Sequence, residues 1–243
     1  MIEVQNIEKT YGDVYAARDV SFSARDGEIT TLLGANGSGK TTTLRCIAGL
    51  IKPTKGDAKI DGIAVSQDPI KAREQLGFVA DEFGLYGRMT AREHLTYFAG
   101  FHNLFGSEAE AAAEKTIQIL HMEEIADRRT EGFSLGERAK VALARALVYS
   151  PSNIILDEPT RGLDVMSIRL LRELLRELRS DGRTILFSSH IMAEVEDLAD
   201  RVVMITDGCV VADGTPDELK QKANSHNLEE AFVTLTSVQG RAA

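Results

Sequence analysis

Three sets of residues in this chain have the type and spacing to work on a phosphorylated ligand. The first is the stretch GANGSGKTT, residues 34–42. Glycines at 34, 37 and 39 let a backbone wrap closely with its N–H groups turned inward. With the N-terminus of a following helix, those groups form a positive concavity for phosphate oxygens. Lys40 would reach the β- and γ-phosphates of a nucleotide. The Thr41 hydroxyl would ligate Mg²⁺, Thr42 would add a phosphate contact, and Asn36 and Ser38 complete the loop. The second set is Asp157-Glu158. A phosphate loop needs a carboxylate on the metal side and a group that orients water. Asp157 can hold Mg²⁺ through water, and Glu158 can polarise an attacking water as general base. The third is His190, a candidate sensor of the γ-phosphate through one ring nitrogen. A lone histidine is more often structural than catalytic, so its case rests on where it sits.

Positioning these groups takes strands that end at the site. GEITTLLG (27–34) is short and β-rich and reads as a buried strand. From Lys40 the spacing turns helical, with Leu44, Ile47, Ala48 and Ile51 on one face and a stop before Pro53. The loop therefore joins a strand to a helix, the context in which a Gly-rich run ending in Gly-Lys-Thr binds phosphate rather than making a plain turn. Ile154, Ile155 and Leu156 read as a strand buried on both faces, with Asp157 at its C-terminal end, where open α/β sheets bind ligands. A third buried strand, RTILFSSH (183–190), delivers His190. Between them SIRLLRELLRELRS (167–180) has Ile168, Leu171, Leu174, Leu175 and Leu178 as an apolar stripe, a sheet-packing helix. This alternation predicts an α/β fold with a parallel sheet and right-handed crossovers.

Elsewhere, residues 88–150 turn helical, with Thr90/Glu93 and Ser107/Glu110 spaced as capping boxes. Asp207-Gly208 between two apolar runs predicts a hairpin. The tail NLEEAFVTLT (227–236) is an amphipathic helix with Leu228, Ala231, Phe232 and Leu235 on one face.

The bulk composition narrows the function class. The 243 residues carry a net charge of −9, which disfavours a protein that coats nucleic acid through a basic face. No apolar run approaches the roughly 18 residues of a membrane span, and the N-terminus has no signal-peptide pattern. Cys46 and Cys209 fit no metal or redox spacing and read as reduced thiols of a cytosolic protein.

The motifs together resemble the nucleotide-binding subunits of ATP-binding cassette (ABC) transporters. GANGSGKT matches Walker A and IILDE matches Walker B. FSLGER (133–138) looks like the ABC signature, PTRGLD (159–164) looks like the D-loop, and His190 stands at the switch-histidine position. Tyr11 matches the aromatic that stacks on adenine. Order and spacing agree over roughly residues 2–218. The resemblance implies a P-loop NTPase (RecA-like) core, an N-terminal antiparallel β subdomain (2–5, 20–24 and 57–61) and an inserted helical subdomain at about 88–150. These make an ATPase domain of 1–218, followed by a helical tail of 219–243. It also implies ATP and Mg²⁺ as ligands and a head-to-tail dimer, homodimeric with ATP. In that dimer Ser134 and Gly136 would contact ATP held by the opposite subunit, and a helix from Glu137 to Tyr149 would aim its N-terminus at that phosphate. A separate integral-membrane permease would dock near Phe83–Met89, placing the chain peripherally on the cytoplasmic face of the membrane.

Three positions depart from the family pattern. Asp81 stands at or next to the place of the Q-loop glutamine and would hold a water on Mg²⁺. Leu135 and Glu137 replace a glycine and a glutamine of the signature, and Arg161 occupies a usually small position of the D-loop. These features and the tail resemble the ABC-2 exporter group, within it the sodium-extrusion ATPases. A soluble ABC ATPase of DNA or ribosomes is the competing class. The first of these needs a long heptad insertion and the second usually has two cassettes; this chain has neither. A scaffold that binds ATP without turnover conflicts with Glu158 and His190.

Overall fold

The computed structural model describes residues 1–239. The chain opens with β1 (Ile2–Tyr11), β2 (Val14–Ala24) and β3 (Ile29–Leu33), then α1 (Lys40–Ile47), β4 (Lys55–Ile60), β5 (Ile63–Ala64), α2 (Pro69–Glu74) and β6 (Leu76–Val79). Three helices follow, α3 (Ala91–Gly100), α4 (Ser107–Ile119) and α5 (Leu135–Leu147). The chain then returns through β7 (Asn153–Leu156), α6 (Val165–Ser180), β8 (Thr184–Ser189), α7 (Met192–Leu198), β9 (Arg201–Thr206) and β10 (Cys209–Gly214), and ends in α8 (Pro216–Ala223) and α9 (Leu228–Gln239).

Two sheets result. The larger runs β10-β9-β3-β8-β7-β6, parallel from β9 to β6, with β10 antiparallel at one edge. The smaller is antiparallel, β2-β1-β4-β5, and its strands outrun the short segments expected from sequence. The central strands are apolar without alternation because both faces are covered. Ile154 and Leu156 of β7 join a core with α3–α6, whereas Ile155 between them faces a second core with α1 and the small sheet. Period-two geometry thus divides one strand between two cores. A third cluster packs Leu33, Val202 and Met204 against Leu219 of α8 and Leu228, Phe232 and Leu235 of α9, so the tail's apolar face lies on the body.

Local rules explain most boundaries. Thr90 caps α3: its Oγ1 accepts from the Glu93 N–H at 3.1 Å, and Glu93 Oε2 accepts from the Thr90 N–H at 2.7 Å. The second expected box does not form. Gly106, at φ +54°, caps α4 in its place, and Ser107 is already helical with no capping bond. α1 ends at Ile47, because Gly49 turns left-handed at φ +66°, so Ile51 lies beyond the helix and packs from a loop. The signature helix begins at Leu135, two residues before its expected start, and ends at Leu147. The boundary expected at 218 falls inside α8, whose own box, Thr215 with Glu218, carries the chain through it. The Asp207-Gly208 hairpin forms as expected, with φ of +50° and +78°. Both cysteines are free. Cys46 is buried, and burial pushes its thiol up to about 11, so it is inert.

Candidate functional site

The loop 34–41 leaves the C-terminal end of β3 and runs into α1. Its tightest point is Gly39, at φ +100° against the Ala16 carbonyl of β2, where a side chain would meet backbone. Lys40 then turns inward, 5% exposed. Its ammonium donates to the carbonyls of Gly34 at 2.8 Å and Ala35 at 3.1 Å and pairs with Glu158 Oε1 at 3.2 Å. Gly34 and Ser38 are buried, Asn36 and Gly37 are exposed, and Thr41 and Thr42 are half-buried at the helix start. Ser38 Oγ has no hydrogen-bond partner.

β7 and β8, adjacent and parallel, bring the acids and the histidine to the same edge. Asp157 is 1% exposed. Ser188 Oγ donates to its Oδ1 at 2.6 Å, while Oδ2 has no partner. Burial pushes the Asp157 carboxyl above its ordinary range. The hydroxyls of Ser188 and nearby Thr41 pull it down, and the charges of Asp81 and Glu158 push it up again. Ser188 also accepts the Glu158 N–H at 2.9 Å, so one hydroxyl orients both acids. Glu158 sits at φ +49°, which turns its side chain away from that of Asp157. Its Oε2 bonds His190 Nδ1 at 2.8 Å, leaving Nε2 of the ring without a hydrogen bond among the described residues. His190 follows β8 directly and is partly exposed.

This edge gathers a buried cation, two carboxylates with different surroundings and an imidazole. An unpartnered, buried carboxylate oxygen beside a threonine hydroxyl is an all-oxygen donor set that suits Mg²⁺ rather than a softer metal. Among the described residues no three His, Cys, Asp or Glu side chains form a metal cage.

Other expected residues lie apart. Asp81 follows β6 and pairs with Arg45 of α1 at 3.5 Å. Tyr11 ends β1, exposed, with the Lys9 ammonium 5.1 Å from its ring centroid. Ser134 caps α5, completing a capping box with Glu137, whose carboxylate also takes Arg128 at 2.8 Å. The S-x-x-E spacing of Ser134 and Glu137 encodes that box locally. Leu135 is exposed and lies against Gly162 of the D-loop. Gly136 faces α6: a side chain there would come within 2.8 Å of Ser167 Oγ. Ser134 thus bonds Glu137, and Gly136 lies where a side chain would meet Ser167 and Asp164.

The family model for ABC transporters matches residues 17–161. The chain belongs to the ABC transporter family. Its relatives in this family include the ABC transporter ATP-binding protein NatA of Bacillus subtilis, 41% identical over 96% of this chain and 97% of NatA. The Nod factor export ATP-binding protein I of Burkholderia orbicola is 38% identical over 90% of this chain and 72% of that protein. Among solved structures, an ATP-binding subunit of an ABC transporter superposes with a TM-score of 0.88 at 32% identity, covering 97% of this chain and 99% of that one. The dimeric cassette MJ0796 in a post-hydrolysis state with ADP and Pi gives 0.81 at 30% identity, over 88% and 98%. As an ABC cassette the chain is an ATP-binding ATPase of the exporter type, and the α/β fold read from sequence is the fold of these cassettes. Sequence reasoning did not find Ser188 or Arg45. Ser188 left a faint signal as a hydroxyl inside an otherwise apolar strand; Arg45 left none.

Proposed function

We propose that this chain is the ATP-hydrolysing subunit of an exporter, cycling between an ATP-bound dimer and open subunits and so driving a separate membrane permease. The observation that carries the reading is the convergence of Lys40, Asp157, Glu158 and His190 at the ends of three adjacent parallel strands. Gly34, Asn36, Gly37, Ser38, Gly39, Lys40, Thr41 and Thr42 cradle the phosphates, and Tyr11 stacks on adenine. Glu158 takes the proton of the attacking water. His190 holds Glu158 by Nδ1 and keeps Nε2 for the γ-phosphate. Thr41 and Asp157 would hold Mg²⁺, and Asp81 would hold a water on it. Bound there, the ion neutralises phosphate charge and orients the nucleotide. Lys40 pairs with Glu158, so an incoming phosphate must displace that carboxylate from the lysine.

Ser134 and Gly136 serve the ATP of the opposite subunit. Residues of about 88–150 form the lobe that carries them, within an ATPase unit of 1–218 followed by the tail of 219–243, whose last four residues lie outside the described residues. The permease docks beside Phe83–Met89. There exposed Tyr86, Tyr97, Phe101 and Phe105 form an aromatic ridge, and Arg145 holds the carbonyls of Phe83 and Gly84 at 3.0 and 3.3 Å. No helix among the described residues is long and apolar enough to cross a membrane. The peripheral place on the cytoplasmic face, beside a partner that does cross, rests on the likeness to ABC transporter ATP-binding proteins. The cargo is the permease's choice; the resemblance to sodium-extrusion ATPases makes sodium the first to try. A ribosome- or DNA-acting cassette is the weaker reading.

Light scattering on the Glu158→Gln variant tests the cycle. It should run as a dimer with Mg-ATP and a monomer without nucleotide, while the wild type hydrolyses ATP. A variant that stays monomeric at saturating Mg-ATP, or a wild type without turnover, rejects it.

A further inference from the structure

The ends of β7 and β8 and the segments that follow them are joined by four rungs. Three belong to the site: Ser188 Oγ to Asp157 Oδ1, the Glu158 N–H to Ser188 Oγ, and His190 Nδ1 to Glu158 Oε2. The fourth lies outside it. Thr160 Oγ1 donates to Glu194 Oε2 at 2.8 Å. Glu194 is 6% exposed, yet no lysine, arginine or histidine pairs with it among the described residues. A buried carboxylate without a cation is costly and uncommon. Its position in the first turn of α7 and the Thr160 hydroxyl are what compensate it.

The spacing gives that bond a consequence for the chemistry. Thr160 is two residues beyond Glu158, with Pro159 between them fixing one backbone angle. Glu194 is four residues beyond His190, in the first turn of α7. The two bonds therefore close a ring, running from Glu158 through Thr160 to Glu194 and back through His190 to Glu158. Glu158 is the strained member, non-glycine at φ +49°. Such a conformation persists when its surroundings over-determine it, and small displacements of a catalytic group cost rate steeply.

We propose that Glu194 is a positioning residue for ATP hydrolysis: through Thr160 it holds the Glu158 turn in register with His190. It touches neither substrate nor reacting atoms. The inference rests on Glu158 and His190 being the hydrolytic pair, so Glu158→Gln is assayed alongside; if that variant keeps wild-type turnover, the pair is misassigned and the assignment fails before Glu194 is at issue.

The test compares steady-state ATPase of Glu194→Ala, Glu194→Gln, Thr160→Val and the Thr160→Val/Glu194→Ala double variant. Glu194→Ala and Thr160→Val should each lower kcat about tenfold with KM for ATP within about twofold, since geometry rather than binding is lost. Glu194→Gln keeps an acceptor oxygen and should stay within about threefold of wild type. The double variant should be no slower than the slower single, because both remove the same bond. In nucleotide-free protein, amide exchange over 158–164 should quicken in Glu194→Ala and not in Glu194→Gln. Unchanged kcat in Thr160→Val, multiplied losses in the double variant, or Gln as slow as Ala would each overturn the proposal. Should Glu194→Ala fail to fold, Thr160→Val and Glu194→Gln still decide between these outcomes.

Discussion

Lys40 Nζ lies 3.2 Å from Glu158 Oε1, so the site holds its phosphate-binding cation and its general base as an ion pair, both side chains nearly buried. The two groups neutralise each other. Replacing Glu158 with Gln removes both the competitor for Lys40 and the base. Turnover should fall by about a hundredfold or more. ATP affinity of the isolated subunit should rise about fivefold, the equivalent of roughly 1 kcal/mol. Equilibrium binding of ATP to monomeric protein, beside a turnover assay, reads both effects. Weaker binding in the variant would show that Glu158 does not restrain Lys40.

Asp157 predicts a pH-dependent stability. Burial raises its folded-state pKa above the unfolded value, so the folded state favours the protonated form. The ionised carboxylate therefore destabilises the fold at neutral pH, and that cost disappears in acid, where the group is protonated in both states. Asp157→Asn keeps an acceptor for Ser188 and cannot ionise. Nucleotide-free Asp157→Asn should melt above the wild type at pH 7, by about 2–4 °C for each kcal/mol recovered. The gap should close as the pH falls through the carboxylate range. Magnesium-dependent ATP binding should fall in the same variant.

The close approach of α5 and α6 at Gly136 gives a steric prediction. A methyl group there would press on Ser167 Oγ, a contact of 2.8 Å. Gly136→Ala should cost about 1–3 kcal/mol, and Ser167→Ala in the same chain should recover part of it. Thermal melts without nucleotide separate this packing effect from any contact with ATP. If the second substitution recovers nothing, the contact is not the cause.

Arg145 should separate ATP turnover from coupling. It is half-buried under Phe98, with its guanidinium 4.7 Å from the ring centroid, and it fixes Phe83 and Gly84 by their carbonyls. Arg145→Met keeps the packing and loses the bonds. Basal ATPase of the isolated subunit should stay within about threefold, while binding of the permease weakens about tenfold. Co-purification from membranes and a turnover assay measure the two. Equal loss of both would place Arg145 in general stability rather than in docking.

What was legible in the sequence was short-range. Residues 34–42, the acids behind three aliphatics and the Asp207-Gly208 turn each depend on neighbours within a few residues, and strand-end geometry carries them to one edge. Competition between adjacent signals blurred element ends: Gly106 took the cap from Ser107, and Gly49 stopped α1 before Ile51. Contacts across the sheet were not legible. Lys40 meets Glu158, Ser188 meets both acids, and Thr160 meets Glu194 only because crossovers bring distant segments side by side. No local pattern encodes such pairings.

The most direct measurement is co-purification of tagged Glu158→Gln protein from native membranes in mild detergent with Mg-ATP, followed by mass spectrometry of what accompanies it. The account predicts one polytopic membrane protein in equal ratio, lost when Tyr86 and Tyr97 are both changed to alanine. Ribosomal or DNA-associated proteins alone, or no partner at all, would contradict it.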